Sequence, residues 1–190
     1  MKEKKMDLRV IKTRKAIKEA FCEMIMEMDY SDIKLKDLTQ RAMINRNTFY
    51  LHYASIDALL EDLQNEIAQS FIEKNVSYTR LSDIKYMIRV FFETISVQSP
   101  LDERLLCSGS YHFVFETINR QIMQHRMKEN KGAFGLNEAS ENIIFRYYGS
   151  ITAELYRQWV ADGKRLSLEE IIDLSTNLIC HGMASVVKDI

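Results

Sequence analysis

The chain has 190 residues, of which 46% are apolar, and its 26 lysines and arginines nearly balance 27 aspartates and glutamates. This length can bury the core of one large domain or of a modest domain with an appendage. One proline and six glycines are too few for a disordered, collagen-like or loop-rich all-β protein. No apolar run approaches the roughly 20 residues of a membrane-spanning helix, no secretory signal is evident, and three widely spaced cysteines suit a reducing compartment. We therefore expect a soluble cytoplasmic protein with no membrane partner.

The net charge of −1 conceals an asymmetry along the chain. Residues 1–57 contain twelve basic and nine acidic side chains, whereas the remaining 133 residues contain 14 basic and 18 acidic ones. A positive segment on a negative body fits a protein that binds a polyanion at one end. A mildly basic N-terminus is also common as a solvated tail, so charge alone leaves both interpretations open.

Helical periodicity dominates the first third of the chain. Two short helices are predicted over Leu35–Ala42 and Arg46–Tyr53, and Asn45 can cap the second of them. Ser55 can cap a fourth helix that continues to about Lys74. The first helix is predicted from an apolar stripe with i, i+3, i+4 and i+7 spacing, formed by Ile17, Ala20, Phe21, Met24, Ile25 and Met28.

The remainder of the chain also has the pattern of helices. Asn137 can cap a long helix for which Gly163 is a suitable C′ residue, and Ser167 begins a capping-box sequence. Gly149 and Gly182 are expected inside helices, where a close approach of two helices would explain each glycine. No repeat or convincing strand is present, so we predict an all-α protein of about nine helices. The later helices are expected from a Ser82 cap to before Pro100, then at about 102–108, 110–128, 138–162 and 168–187.

Two short helices joined by about three residues describe a helix-turn-helix, whose second helix can enter the DNA major groove. Arg46–Tyr53 makes about two turns, or roughly 12 Å, which matches the width of the groove. When Phe49 points inward, Asn47 can pair with adenine and Leu51 can touch a thymine methyl, while the Thr48 and Tyr50 hydroxyls can reach phosphates. By spacing alone, a helical hairpin that only packs is equally compatible.

Residues 37–53 have the sequence DLTQRAMINRNTFYLHY, which resembles the DNA-binding signature of the tetracycline-repressor (TetR) family of bacterial transcriptional regulators, roughly D-I-A-x-x-A-G-V-S-x-x-T-F-Y-x-H-F. Thr13-Arg14 is similar to the opening of the family's first helix, and the later order of helices is also similar. The resemblance implies that Tyr50 and His52 hold the DNA backbone and that Lys36 reaches DNA. It places base reading at the start of the recognition helix. The full set of DNA-binding residues that we predict is Lys36, Asn45, Arg46, Asn47, Thr48, Tyr50, Leu51 and His52.

Three residues depart from the family pattern. Met43 replaces the turn glycine, so it must adopt a left-handed conformation at a cost, or the turn must shift. Lys34 stands where threonine often caps the second helix, so a cap worth roughly 1 kcal/mol should be missing. Ile56 replaces a lysine that often contacts a phosphate, which predicts a shallower salt dependence of DNA binding.

The body of the chain offers two further sites, both implied by the resemblance. The last two helices could form a four-helix dimer interface, which would set two recognition helices about 34 Å apart on a palindromic operator; alternatively they close a monomer core. The middle helices could hold an effector, although most of their apolar residues are equally explained as ordinary core. Predicted interface residues are Tyr147, Ile151, Leu155, Trp159, Ile171, Leu178, Ile179, Met183 and Val186. Predicted pocket residues are Tyr86, Met87, Phe91, Tyr111, His112, Phe115, Arg120 and Tyr148.

No enzyme motif is present: there is no glycine-rich phosphate loop, G-x-S-x-G, H-E-x-x-H or C-x-x-C. His112 and His125 lack partners at metal-ligand spacing, and Cys22 and Cys107 are expected to be small apolar residues instead of nucleophiles. We therefore expect no catalysis, no cofactor and no bound metal.

These observations predict a one-component transcriptional regulator, most simply a repressor. Residues 1–57 would form the DNA-binding domain, linked through helix 55–74 to an effector-binding and dimerisation domain at 58–190. A homodimer would bind a palindromic operator in double-stranded DNA under the control of an unidentified small-molecule effector. The alternative, suggested by the three departures, is a TetR-like adaptor or co-activator that acts through a protein partner with weak or no DNA binding.

Overall fold

The computed structural model of this chain describes residues 8–74, 84–98, 100–129, 131–132 and 134–182. These residues form nine α-helices, with short 3₁₀ turns at Tyr30–Asp32 and Gly109–Tyr111, and they contain no strand. The predicted all-α class is therefore confirmed for them. The helices are α1 (Leu8–Glu27), α2 (Leu35–Arg41), α3 (Arg46–Tyr50), α4 (Ile56–Lys74), α5 (Ile84–Gln98), α6 (Pro100–Cys107), α7 (His112–Glu129), α8 (Glu138–Ala161) and α9 (Leu168–His181).

The chain divides into two compact units, residues 1–66 and 67–190. In the first unit, the apolar stripe predicted for α1 turns inward and is joined by one or two large side chains from each of the next three helices. Completely buried positions of this kind each contribute about 1.5–3 kcal/mol to stability. The fully buried residues of the first unit are Ile17, Phe21, Met24, Ile25, Leu38, Phe49 and Leu59.

The connection between α2 and α3 is a Schellman motif. The Met43 amide donates to the Gln40 carbonyl at 3.1 Å, and the Ile44 amide donates to the Thr39 carbonyl at 3.0 Å. Met43 has φ = 54°, so it adopts the left-handed conformation expected at the family's turn glycine, and its side chain is 91% exposed. The turn therefore has the left-handed geometry that glycine adopts without strain, although a methionine occupies the position.

We expect Met43→Gly to stabilise the first unit by about 0.5–1 kcal/mol, because glycine removes the left-handed strain while Met43 buries almost nothing. Chemical denaturation followed by circular dichroism measures the change. The matched control is Lys12→Gly on the exposed surface of α1, which should cost about 1 kcal/mol because glycine is unfavourable inside a helix. A Met43→Gly variant less stable than the parent would contradict the strain assigned to this turn.

Several predicted helix ends are confirmed by their caps. Asn137 accepts a hydrogen bond from the Ser140 amide at 3.0 Å, and Ser167 forms both bonds of a capping box with Glu170. Gly163, with φ = 73°, ends α8 in a second Schellman motif. The predicted absence of a cap at Lys34 is also confirmed, since its side chain makes no capping bond to α2.

Two predicted helices are shorter in the structure. The recognition helix ends at Tyr50 instead of Tyr53, because the amides of His52 and Tyr53 both turn back to the Phe49 carbonyl. The last helix ends at His181, and Gly182 terminates it with φ = 74°. The expectation that Gly182 lies inside a helix against a neighbour is therefore wrong, and residues 183–187 lie outside the described part of the chain.

In the second unit, α5 and α8 form an aromatic core against which Ile171 and Ile172 of α9 pack. The rings of Phe92 and Tyr156 meet edge-on with centroids 5.3 Å apart, and Trp159 packs 5.9 Å from Phe92. Gly149 in α8 permits a close approach to α7, because a Cβ at this position would lie 2.9 Å from the Met123 sulfur. The packing reason predicted for Gly149 is thus confirmed, whereas no described residue comes within 4 Å of a Cβ placed at Gly182.

No helix among the residues that the structure describes is both long enough and apolar enough to cross a lipid bilayer.

Candidate DNA-binding surface and effector cavity

The recognition helix presents the outward face that its sequence predicts. Phe49 is completely buried and Tyr53 is 5% exposed, so both anchor the helix to the core of the first unit. On the opposite side Leu51 is 82% exposed and Tyr50 is 47% exposed, and Asn47 is also exposed. Within this unit, the outer surface of α3 is therefore open to a partner.

The start of α3 is organised by Asn45. Its carboxamide oxygen accepts hydrogen bonds from the Thr48 amide at 2.7 Å and from the Thr48 hydroxyl at 3.0 Å. The predicted cap is confirmed, and it has a consequence for both residues. Because the Thr48 hydroxyl already donates within the cap, a phosphate contact from this hydroxyl would require that bond to break.

Arg46 and Tyr50 lie together, one turn apart, on the exposed face. The guanidinium donates to the Tyr50 hydroxyl at 3.2 Å, and its carbon lies 5.6 Å from the centre of the tyrosine ring. His52 is half-buried in the turn that follows the helix, and Lys36 projects from α2 as an exposed cation. The face therefore combines charge, hydrogen-bonding groups and the apolar Leu51, which are the groups used to contact phosphates and base edges.

A polar junction anchors the turn after α3 to α1 and α4. One carboxylate oxygen of Asp62 accepts from Arg14 at 2.7 Å, from Lys18 at 2.7 Å and from the Tyr53 hydroxyl at 2.8 Å. The Arg14 guanidinium also lies 5.0 Å from the centre of the Tyr53 ring. The sequence does not predict this junction, because nothing in the spacing of residues 14, 18, 53 and 62 reveals that they converge.

The junction shifts the pKa values of Asp62 and Tyr53. Burial alone would raise the pKa of Asp62, but hydrogen bonds from Lys18, Tyr53 and Arg14 outweigh it, so the pKa is lowered. Burial, followed by the bond to Asp62, raises the pKa of Tyr53 above its ordinary value. Asp62 is therefore charged and Tyr53 neutral at physiological pH, which is the combination that keeps all three bonds.

The second unit contains a cavity of about 60 Å³, which opens to solvent at its mouth. Helices α4–α8 contribute to its wall, which is largely apolar, and α4 contributes Ile67 and Phe71. Its polar lining comprises Thr94, Asp102, Asn119, Arg126, Tyr148 and Thr152.

Only part of the predicted pocket lines this cavity. Phe91, Phe115 and Tyr148 do so. The other five predicted residues do not line it. Met87 and Tyr111 are buried in the core away from the cavity wall, since their helical positions turn them to neighbouring helices. The three polar candidates, Tyr86, His112 and Arg120, are exposed on the surface.

The polar residue that sequence reasoning missed is Arg126, which is only 5% exposed. It lies on the same stripe of α7 as Phe115, Ile118 and Ile122, all of which line the cavity. Helical spacing could have revealed it, since residues 115, 118, 122 and 126 follow i, i+3, i+7 and i+11. An arginine on an apolar stripe is easily assigned to the surface, because arginine is rarely buried.

The predicted dimer residues separate into core and surface. Trp159 and Ile171 are 7% and 5% exposed and belong to the core of the second unit. Leu155 and Ile179 are partly buried against the same core. Tyr147 remains 49% exposed; Ile151 and Leu178 are half-buried, and Met183 and Val186 lie outside the described residues.

The cysteines and acidic groups do not form a reactive centre in the described residues. All three cysteines are half-buried, and none forms a disulfide with another. Burial, together with the nearby Glu103, raises the pKa of the Cys107 thiol to about 11, so this thiol is a poor nucleophile at neutral pH. The described ranges also hold no cluster of three His, Cys, Asp or Glu side chains suited to a metal ion.

The chain is similar to known transcriptional regulators. No family model matches the chain. A stretch of 63 residues, 33% of this chain, is 43% identical to the uncharacterised HTH-type transcriptional regulator YxbF of Bacillus subtilis. The matched region spans 17% of the length of YxbF. Over 88% of both chains, the protein is 23% identical to the HTH-type dhaKLM operon transcriptional activator DhaS of Lactococcus lactis.

The fold as a whole is that of a solved TetR transcriptional regulator from Streptococcus agalactiae. The two structures align with a TM-score of 0.69 over 91% of this chain and 96% of the other, at 20% sequence identity. The resemblance inferred from residues 37–53 is thereby confirmed at the level of the fold. The three proteins named here are transcriptional regulators, which agrees with the expectation that the chain is not an enzyme.

Proposed function

We propose that this chain, a transcriptional regulator of the TetR type by its fold and its helix-turn-helix, binds a palindromic DNA operator as a cytoplasmic homodimer and represses transcription. The observation that carries the proposal is the open outer face of α3, held in place by buried Phe49 and Tyr53. Repression is the simplest output, because a dimer bound across an operator excludes other proteins from the same DNA.

Asn47 and Leu51 are proposed to read base edges, since an exposed amide can pair with adenine and an exposed leucine can contact a thymine methyl. Lys36, Tyr50 and His52 are proposed to hold phosphates, which fix the register of the helix without carrying sequence information. Arg46 stacks on Tyr50, so these two side chains are proposed to act together at the edge of the groove.

Control by a small molecule is proposed for the cavity of the second unit. The helix α4 contributes Asp62 to the polar junction of the first unit and Phe71 to the cavity wall of the second. Suppose that α4 has two arrangements, of which one favours DNA binding. A ligand that binds one arrangement more tightly than the other would then change DNA affinity, and the change cannot exceed the ligand's difference in affinity for the two. A thousandfold change in DNA affinity corresponds to about 4 kcal/mol of such coupling.

Selection from random-sequence duplex DNA, carried out at low and at high salt, tests the proposed DNA binding. We expect enrichment of a palindrome whose half-sites are about one helical turn apart. Asn47→Ala should relax specificity at one position of each half-site at a cost of about 1–3 kcal/mol. Lys36→Ala should weaken binding to all sequences and reduce the salt slope by about one.

The control for both variants is Arg120→Ala, which removes an exposed cation from the second unit and should leave affinity, specificity and salt slope unchanged. Absence of any enriched palindrome at low salt would rule out sequence-specific operator binding. A selected site without two-fold symmetry would rule out the symmetric homodimer.

Two observations support the alternative function of an adaptor or co-activator. The 23% identical relative DhaS is named an activator, and α2 lacks a side-chain cap. The double variant Tyr50→Phe, His52→Ala separates the two functions. Loss of operator binding is expected if α3 contacts DNA. Operator occupancy that persists while binding to a partner protein fails would favour the adaptor.

A further inference from the structure

The turn between α2 and α3 holds Met43 in a left-handed conformation that this side chain does not favour. Within the described residues, Met43 and Lys164, each with φ = 54°, are the two residues other than glycine with positive φ. Lys164 is compensated within the protein, because its ammonium forms an ion pair with Glu103 at 2.7 Å and lies 5.5 Å from the centre of the Trp159 ring. Met43 is 91% exposed, so packing within the protein does not offset its strain.

Backbone hydrogen bonds fix the direction in which the Met43 side chain leaves the turn. The Met43 amide donates to the Gln40 carbonyl at 3.1 Å, and the next amide, that of Ile44, donates to the Thr39 carbonyl at 3.0 Å. Two residues after Met43, Asn45 caps α3. Met43 therefore lies at the N-terminal end of the recognition helix, which is the end that contacts base edges in helix-turn-helix proteins.

The sequence around Met43 suits a polyanion that also has apolar groups. Residues 38–56 contain no aspartate or glutamate, which would repel phosphates, but they include Arg41 and Arg46. Arg41 pairs with Glu27 of α1 at 2.7 Å, whereas Arg46 is exposed on α3. Duplex DNA presents phosphates beside the thymine methyls of its major groove, so it matches both the positive charge and the apolar thioether.

Methionine is well suited to a contact of this kind, because its unbranched side chain is flexible and its sulfur is polarisable. It can follow an apolar surface without the fixed geometry that a hydrogen bond requires. The thioether is uncharged and displaces no counterion from DNA, so its contribution to affinity should not depend on salt.

We propose that Met43 is a DNA-contacting residue whose thioether packs against an apolar group of the duplex in each half-site, either the 5-methyl of a thymine or the neighbouring deoxyribose. The inference adds a contact to the proposed DNA-binding face and rests on the proposed function. Strain persists in the free turn because the side chain that causes it is buried when DNA is bound.

Three substitutions of Met43 in the full chain test the proposal, with operator affinity and the unfolding midpoint as the two measurements. Met43→Ala keeps the left-handed Cβ but removes the thioether, so it should weaken binding to the selected operator about fivefold or more without changing the salt slope. Met43→Leu keeps an apolar side chain of similar volume and should bind within about twofold of the parent. Met43→Gly should be more stable than the parent and yet bind more weakly, an opposition that a general loss of folding cannot produce.

Met26→Ala is the matched control, because Met26 is an exposed methionine on α1 of the same unit, and it should leave operator affinity unchanged. Replacing each thymine of the operator in turn by deoxyuridine, which lacks the 5-methyl group, identifies the apolar group that Met43 contacts. If this group is a methyl, one replacement should weaken binding by the parent but not by Met43→Ala. If it is a deoxyribose, no replacement should depend on Met43 in this way.

Operator affinities of Met43→Ala and Met43→Gly that both equal the parent's would overturn the proposal, and a protein partner would become the alternative occupant of this surface. That result is separable from a failure of the proposed function. A selected operator that the variants bind as tightly as the parent removes only the Met43 contact. Absence of any selected operator removes the DNA-reading function, and the Met43 contact with it.

Discussion

Replacing Phe49 by alanine is expected to remove about 3–5 kcal/mol of stability from the first unit and to abolish DNA binding. Phe49 is completely buried, and its ring meets those of Tyr50 and Tyr53 at centroid distances of 5.7 and 5.9 Å. The variant leaves a cavity beneath the recognition helix and removes the side chain that sets its orientation. A loss of this size is a large part of the 5–15 kcal/mol that stabilises a typical domain.

The single tryptophan makes this prediction measurable unit by unit. Trp159 is 7% exposed in the second unit, so its fluorescence reports that unit, whereas far-UV circular dichroism reports the helices of both. In Phe49→Ala, urea unfolding should show a dichroism change that precedes the fluorescence change. If the dichroism and fluorescence midpoints of the variant both equal those of the parent within error, Phe49 does not contribute this stability.

The matched control for Phe49→Ala is Leu51→Ala, two residues away. Leu51 is 82% exposed, so its truncation should change stability by less than about 0.5 kcal/mol. The same variant should lower discrimination at a thymine of the operator if Leu51 reads a methyl group. The two variants therefore separate the inward side of α3, which determines stability, from the outward side, which determines recognition.

Asp62→Asn is expected to cost about 1–2 kcal/mol of stability and to weaken operator binding about tenfold. The charged oxygen of Asp62 joins Arg14, Lys18 and Tyr53, so the substitution weakens three hydrogen bonds and leaves two cations with less compensating charge. The expected loss of stability is modest because the Arg14 and Asp62 side chains are 38% and 29% exposed, and solvent screens their attraction. Operator affinity falls because the weaker bond from Tyr53 holds the turn that follows α3 less firmly.

The pH dependence of stability gives an independent test of Asp62. Its pKa is lowered in the folded chain, so its contribution is present above the unfolded value of about 3.9 and is lost as the pH falls through the lower folded value. The stability difference between the parent and Asp62→Asn should therefore be constant near neutrality and shrink in acid. Glu61→Gln is the matched control, since Glu61 is exposed on the same helix, and it should show neither the stability loss nor the loss of operator affinity. A difference that grows in acid would contradict the role given to the junction.

Local sequence determined the helices of this protein and most of their caps. Apolar spacing identifies the buried stripe of α1, and the side chains of Asn45, Asn137 and Ser167 cap the helices that follow them, because each device acts within one or two turns of the residue that provides it. Local helical geometry also predicts Phe49 inward and Leu51 outward, as the structure has them. The family signature added the expectation that the outward face binds DNA.

Tertiary structure decided what depends on residues far apart in the chain. The convergence of Arg14, Lys18 and Tyr53 on Asp62 requires three helices to meet, and the burial of Arg126 requires the other walls of a cavity. Periodicity shows that Trp159 and Ile171 face inward on their helices, but only the packing of α5 against α8 and α9 shows that the inner side is a monomer core. Hydrophobic spacing specifies which side of a helix avoids water, whereas the neighbour that covers that side is selected by the fold.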